Sequence, residues 1–211
     1  MTDYKTRRER MVREQIGLRG IDNKRVLAAM RAVPRELFVP EKLRHDAYAD
    51  GPLPIGVGQT VSQPFVVALM AELAEPQPGQ KVLDVGAGSG YAAAVMAQIV
   101  SHVYAIERHA ELTERAQAAF DALGYTNITT RTGDGTRGWA KAAPFDAILV
   151  AAAGKVPQAL LDQLKVGGHL VMPVQGEGKR QVLKRMTRTG ETEWEERSAG
   201  GVAFVPLVPG P

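Results

Sequence analysis

Apolar positions along the chain follow two rhythms. Before residue 80 the spacing is helical. Met11, Val12, Ile16 and Leu18 form a stripe over 4–19, and Gly20 stops it. Asp22 is placed to cap a second helix, Asn23–Arg31, which buries Val26, Leu27 and Met30. Val33, Leu37, Phe38 and Val39 then make an apolar knot around Pro34 and Pro40, suited to pin these helices onto the main body. From 81 to 174 short apolar runs alternate with helical stretches. Lys81–Val85, His102–Glu107, Asn127–Arg131, Phe145–Val150 and His169–Val174 read as strands. Pro64–Leu73, Tyr91–Val100, 109–123 and Val156–Leu164 read as helices, with a turn at Lys165–Gly168. After 174 the runs become polar strands, Gln181–Thr187 and Glu193–Arg197, joined at Thr189-Gly190. Val202–Leu207 reads as a last strand, and the tail beyond it is expected to fray.

This order predicts an α/β fold. The sheet is Rossmann-like and mostly parallel, with antiparallel C-terminal strands and an N-terminal helical attachment. Phe145–Val150 is apolar throughout, as a central parallel strand covered on both faces must be. A chain of 211 residues fits one domain, divided here into N-terminal helices (1–49), a loop (50–64) and an α/β core (65–211). The loop is unusual. It holds several Gly and Pro yet carries Leu53, Ile55, Val57 and Val61, as a cover packed over a site would.

Composition adds mainly exclusions. The chain has no Cys, so disulfides, thiolate metal sites and a Cys nucleophile are ruled out. Its four His lack metal-ligand spacing, and no metal is expected. Net charge is +3, and the basic cluster Lys5–Arg10 is broken by Glu9, so a solvated helix face is favoured over a nucleic-acid patch. No apolar leader or membrane-length run is seen. A cytoplasmic, monomeric protein with no membrane or nucleic-acid partner is the expectation.

The chemistry concentrates in Lys81–Tyr91, where a buried strand runs into Gly86-Ala87-Gly88-Ser89-Gly90 and then a helix. Strand, glycine turn and helix let a backbone approach a polar ligand at a helix N-terminus. The spacing is G-x-G-x-G, with Tyr91 where a dinucleotide fold wants its third Gly. Asp84 in the strand end would repel a pyrophosphate but suits a ligand carrying an amino group and a sulfonium. Glu107 ends the next strand about 20 residues past the first glycine, where a ribose needs its hydroxyls bound. Asp134, between Gly133 and Gly135, can reach an adenine amino group or simply hold its turn. Ser62 precedes Pro64, so capping of the following helix is one reading of it.

The glycine stretch resembles the first motif of the class I methyltransferases, which bind S-adenosylmethionine. Ile55–Pro64, about twenty residues before it, makes the pair similar to the protein-L-isoaspartate O-methyltransferase family. The resemblance continues through Phe145–Ala153, Val156–Pro173 and Gly201–Leu207. It implies S-adenosylmethionine held by Asp84, Gly86, Gly88, Gly90, Glu107, Asp134 and Gly135. It implies a substrate site built from Gln59, Thr60, Val61, Val205, Pro206 and Leu207, with Ser62 at the substrate carboxylate. The implied substrates are isoaspartyl proteins and peptides, methylated on the free carboxylate so that they can be repaired. Val208 stands where some members carry a hydroxyl residue, and Phe65-Val66-Val67 lacks a His found in others. Two alternatives stay open: a methyltransferase of RNA or small molecules, and a non-catalytic adenosine-binding module. The first would call for a basic face or an Asn/Asp-Pro-Pro-aromatic run, which the chain lacks.

Overall fold

A computed structural model describes residues 3–176, 178 and 180–210. Its main sheet has seven strands in the order β5-β4-β3-β6-β7-β8-β9. These are β3 Lys81–Val85, β4 His102–Glu107, β5 Ile128–Thr132, β6 Phe145–Val150, β7 Leu164–Gln175, β8 Gln181–Arg188 and β9 Trp194–Val202. The first five are parallel and the last two antiparallel additions. The chain runs outward from β3 through β4 to β5, then returns to β6 on the other side of β3. That reversal leaves a crevice at the carboxyl ends of β3 and β6.

Alternation along the strands divides the core. Val82, Val103, Ala105, Ala147, Leu149 and Val171 face the larger cluster, which includes the N-terminal segment. Leu83, Val85, Ile106, Ile148, Val150 and Leu170 face the other. Pleating puts Asp84 on the same side as Val82, yet it is a carboxylate only 1% exposed.

The N-terminal segment departs from a plain helix. α1, Tyr4–Arg10, is capped by Asp3, then widens into a π-helical turn over Met11–Ile16 and tightens over Gly17–Arg19. The wide turn buries Met11, Val12 and Ile16, whereas Leu18 is 79% exposed. α2 is Lys24–Ala32, and its cap is Asn23, not Asp22. Asn23 Oδ1 accepts from the Arg25 and Val26 amides at 3.0 and 3.3 Å. The Asp22 and Asn23 amides donate to Glu72 of α3, Pro64–Leu73, which anchors the segment. Within the apolar knot Phe38 packs 5.8 Å from the Tyr91 ring and 6.2 Å from that of Phe120, while Leu37 stays outside.

Residues 50–64 hold a hairpin that a loop reading misses. β1, Leu53–Gly56, pairs antiparallel with β2, Gln59–Val61. Its tip carries three successive positive φ angles, +100° at Gly56, +44° at Val57 and +71° at Gly58. Glycine adopts these freely, but a β-branched Val does not, so Val57 is strained. Ile55, 1% exposed, turns inward, and Arg115 of α5 (Ala110–Leu123) donates to its carbonyl.

Other boundaries shift for local reasons. α4 is Tyr91–Ala97 and ends before Val100; α6 is Gln158–Asp162, with Pro157 at its cap. β7 absorbs Lys165–Gly168, where a turn was expected, and β9 continues to Val202. Beyond it the expected last strand is reduced to one bridge between Pro206 and Ala153. Among the described residues the tail packs back onto the body, with Gly210 against Gly133 and Asp134.

Gly90 is one of the tightest points. It caps α4 at φ +84°, and an added Cβ would sit 2.5 Å from Phe120 Cζ and 3.0 Å from Ala116 Cβ, both in α5. Gly90→Ala should therefore cost about 2–4 kcal/mol, from left-handed backbone strain plus overpacking. Urea unfolding checks this. A loss below about 1 kcal/mol would mean that α4 and α5 separate easily.

Candidate active site

The crevice takes shape where the chain leaves β3. The Gly86 and Ala87 amides both donate to Ile106 O of β4, at 2.8 and 3.0 Å, and fold the glycine turn over the strand end. Gly88 passes under the hairpin, since a Cβ there would lie 3.3 Å from Ile55 Cδ1. The Gly88 amide donates to Glu107 Oε2 at 2.9 Å, and the His109 amide to Oε1 at 2.9 Å. Glu107 is thus fixed at 5% exposure with one backbone donor on each oxygen and lone pairs to spare.

Asp84 is different. Neither of its carboxylate oxygens has a hydrogen-bond partner. Burial, and then the charge of Glu107, push its pKa up to about 7. A buried unpaired carboxylate facing a cleft has no structural use and a large desolvation cost. It fits a ligand that brings its own cation. Glu107 fits the hydroxyl pair of a ribose, with acceptor capacity already oriented. The donor set therefore suits S-adenosylmethionine.

Asp84, Gly86, Gly88, Glu107 and Gly135 all line this cleft, together with Ala151 and Ala152 at the end of β6. Gly90 does not. Its missing Cβ serves the packing of α4 on α5, so the structure assigns it to the fold and not to the cleft wall. Asp134 does not line it either. Its Oδ1 accepts from the Thr136 amide and hydroxyl at 2.9 and 2.6 Å, and Oδ2 lies 3.4 Å from Arg137 Nε. Burial acts against ionisation there, but the Thr136 bonds, the Gly210 amide and Arg137 outweigh it and hold the carboxyl below its usual range. Of the two roles open to Asp134 in the sequence, these contacts are those of a residue that holds its turn. Gly135 reaches the cleft because any Cβ would lie 2.6 Å from Val85 Cγ1.

The opposite rim comes from the hairpin and the C-terminal segment. Gln59, Thr60, Val61 and Ser62 face Val205, Pro206, Leu207 and Val208 across the cleft. The C-terminal segment is held on both sides. The Ala153 amide donates to Val205 O at 2.8 Å and the Leu207 amide to Ala153 O at 2.7 Å. The Gln181 side chain brackets Phe204, accepting from its amide at 2.7 Å and donating to its carbonyl at 3.1 Å. Tyr91 and Arg108 also line the cleft and were not singled out from the sequence. Tyr91 could have been, because it directly follows the glycine stretch.

Ser62 is half-buried and does not cap α3. Gln63 occupies the capping position without a side-chain capping bond and instead donates to Asp50 Oδ1 at 2.7 Å. Ser62 lies at a junction. On one side is the cleft; on the other is a second groove walled by Gln63, Val66, Gln181, Val202 and Phe204. Thr60, Ala151 and Val205 border both depressions. Among the described residues no cluster of His, Cys, Asp and Glu could hold a metal, and no helix is long and apolar enough to cross a membrane.

Asp84 generates a test. Its folded pKa lies above the reference 3.8, so the folded chain holds the proton more tightly than the unfolded one. That contribution is complete below about pH 4 and is lost as pH rises towards 7, by up to about 4 kcal/mol. Asp84→Asn should flatten this decline and make the ligand-free protein more stable than wild type at pH 8. It should also weaken S-adenosylmethionine binding by about tenfold or more, through loss of a charge-assisted contact. Denaturation across pH and calorimetry measure both. Wild-type stability that stays level from pH 4 to 8 would show that Asp84 is solvated.

Residues 6–210 match the family described as Protein-L-isoaspartate(D-aspartate) O-methyltransferase. The chain is 58% identical to the protein-L-isoaspartate O-methyltransferase of Methylorubrum extorquens, over 96% of this chain and 89% of that one. It is 52% identical to protein-L-isoaspartate O-methyltransferase 1 of Rhodopseudomonas palustris, over 98% and 85%. It superposes with a TM-score of 0.83, at 26% identity and over 95% and 98% of the two chains, on a candidate protein-L-isoaspartate O-methyltransferase of Plasmodium falciparum solved with S-adenosyl-L-homocysteine. With this likeness along nearly its whole length, the chain belongs to the protein-L-isoaspartate(D-aspartate) O-methyltransferase family.

Proposed function

We infer that the chain repairs damaged proteins by methylating the free carboxylate of L-isoaspartyl residues, with S-adenosylmethionine as methyl donor. Family membership carries the reaction class. When bound, S-adenosylmethionine supplies an electrophilic methyl group on a sulfonium. Asp84 and Glu107 hold its charged and hydroxyl-bearing parts, and Gly86, Gly88 and Gly135 leave room for close approach. Ile55 and the hairpin exclude water above the glycine turn, and residues 50–64 thereby act as the cover of a core formed by 65–211 and buttressed by 1–49.

The acceptor needs no general base. A carboxylate of pKa about 4 is already ionised at pH 7. It must be oriented, stripped of water and held at an attack distance of about 3–3.5 Å. The observation that supports Ser62 in this role is its place between the cleft and the second groove. Its hydroxyl donates to one carboxylate oxygen and leaves the other to react. A neutral donor avoids the charge pairing by which an Arg would quench the nucleophile.

The peptide runs from the second groove past Ser62 into the cleft and is read through its backbone. Gln59, Thr60 and Val61 line the cleft end of that path. Val205 and Leu207 spend their backbone groups on Ala153. Strand alternation therefore offers the Pro206 carbonyl and Val208 to a peptide on the outer edge. With Val208 in place of a hydroxyl residue, that contact comes from the backbone alone. Arg10, Arg13 and Arg31 are paired with Glu14 or Glu9, which argues against a free basic face for nucleic acid.

Paired peptides test the reaction. Radiolabelled methyl should transfer to an isoaspartyl peptide and not to its aspartyl twin, across varied flanking sequences; equal rates would defeat the assignment. Ser62→Ala should lower kcat/KM by about tenfold or more, about 1.4 kcal/mol per decade, while sparing cofactor affinity. Ser62→Thr should retain more activity. At saturating cofactor kcat/KM for the peptide should be level from about pH 6 to 8. A steep rise that vanishes in Ser62→Ala would show that a proton transfer through Ser62 limits the rate and would overturn the purely orienting role.

A further inference from the structure

Arg35 is 0% exposed, in the short turn Arg35–Phe38 that follows α2. Its Nε donates to Ala47 O at 2.8 Å and its Nη2 to Ser62 O at 2.9 Å. Its guanidinium carbon lies 4.8 Å from the centre of the Tyr91 ring. Nη1 has no acceptor. Among the described residues no carboxylate pairs with it. The neighbouring Glu36 is taken by the Tyr48 hydroxyl and lies 3.7 Å from Arg8.

A buried cation without a counter-ion is costly, by several kcal/mol for the ion alone. Filling the same space with Leu or Met would avoid that cost. What the guanidinium supplies is a planar fork of fixed geometry, one edge holding two carbonyls and one face lying against a ring. The carbonyls belong to Ala47, at the end of the N-terminal segment, and Ser62, at the exit of the hairpin. The ring is that of Tyr91, the first residue of α4, directly after the glycine turn. One side chain thus ties together the three parts that must keep register for acceptor and donor to meet.

We propose that Arg35 is a positioning residue for methyl transfer: it sets the backbone of Ser62, and through it the hydroxyl, relative to the glycine turn. The proposal rests on the reading of Ser62 as the group that orients the acceptor carboxylate. Lysine at 35 keeps the charge but has neither the fork nor the planar face, so Ser62 loses its angular restraint.

The test is a double-mutant cycle of Arg35→Lys and Ser62→Ala, measured as kcat/KM on an isoaspartyl peptide at saturating S-adenosylmethionine. Alongside it run S-adenosylhomocysteine affinity by calorimetry and amide hydrogen exchange over 60–64. Arg35→Lys alone should lower kcat/KM about tenfold, chiefly through kcat. S-adenosylhomocysteine binding should change by no more than about twofold, and exchange should quicken at 61–63. In the Ser62→Ala background the same substitution should cost less than about threefold. Losses that simply multiply would overturn the positioning role while leaving Ser62 in place. If Ser62→Ala alone changes nothing, the Ser62 reading falls first, and this inference with it. A parallel Arg35→Gln variant separates charge from shape, and should be impaired like Lys. Full activity with Gln, or failure of both variants to fold, would make Arg35 a stability element only and overturn the proposal.

Discussion

The bond from the Gly88 amide to the Glu107 carboxylate is the tie on which the cleft depends. It joins the turn after one strand to the end of the next, at a level where strand pairing has ended. The His109 amide on the other oxygen completes the restraint and starts α5 in the right direction. Glu107 is therefore part of the scaffold before it is part of a binding site. Gly88 lies close beneath Ile55 at φ +55°, a left-handed backbone that side-chain-bearing residues rarely adopt.

Asp84 is the counterpart that the scaffold leaves unsatisfied. Two carboxylates meet at adjacent strand ends, and the protein's own donors serve only one of them. The instability is kept local because β3 is paired on both sides and its apolar residues are buried. A site can keep such a group only inside a sheet that is otherwise secure. The N-terminal segment adds to that security from the opposite direction, through Phe38 on Tyr91 and Phe120 and through Glu72 on the amides before α2.

Much of this was legible in the sequence because period and punctuation agree. β3, β4 and β6 are apolar runs ending at an acid or at glycine and alanine, and their strand ends coincide with the structure. The glycine stretch, Asp84 and Glu107 could be placed from spacing alone. What escaped depended on partners distant in sequence. The hairpin in 50–64 is short and rich in Gly and Pro, so no strand signal rises above its turn residues. Gly90 looks like its neighbours in the motif, and only the approach of Phe120, thirty residues on, separates its role from theirs. Asp134 could bind a ligand or cap a turn, and its bonds to Thr136 show the second. Arg35 sits in a charged, proline-flanked stretch and reads as surface. Its burial follows from carbonyls 12 and 27 residues away.

The cleft is closed by residues far apart in the chain. The glycine turn sits near the middle, the hairpin and its Arg35 tether come from the first third, and Val205–Val208 form the last wall. During synthesis the cofactor turn can pair with β4 early, yet the rim opposite Ser62 does not exist until residues 205–208 have left the ribosome. A nascent chain therefore passes through a long interval with its glycine turn made and its substrate wall missing. The cleft is completed by a stretch made well after its glycine turn, so competence for repair begins only once residues 205–208 have docked beside Ala153.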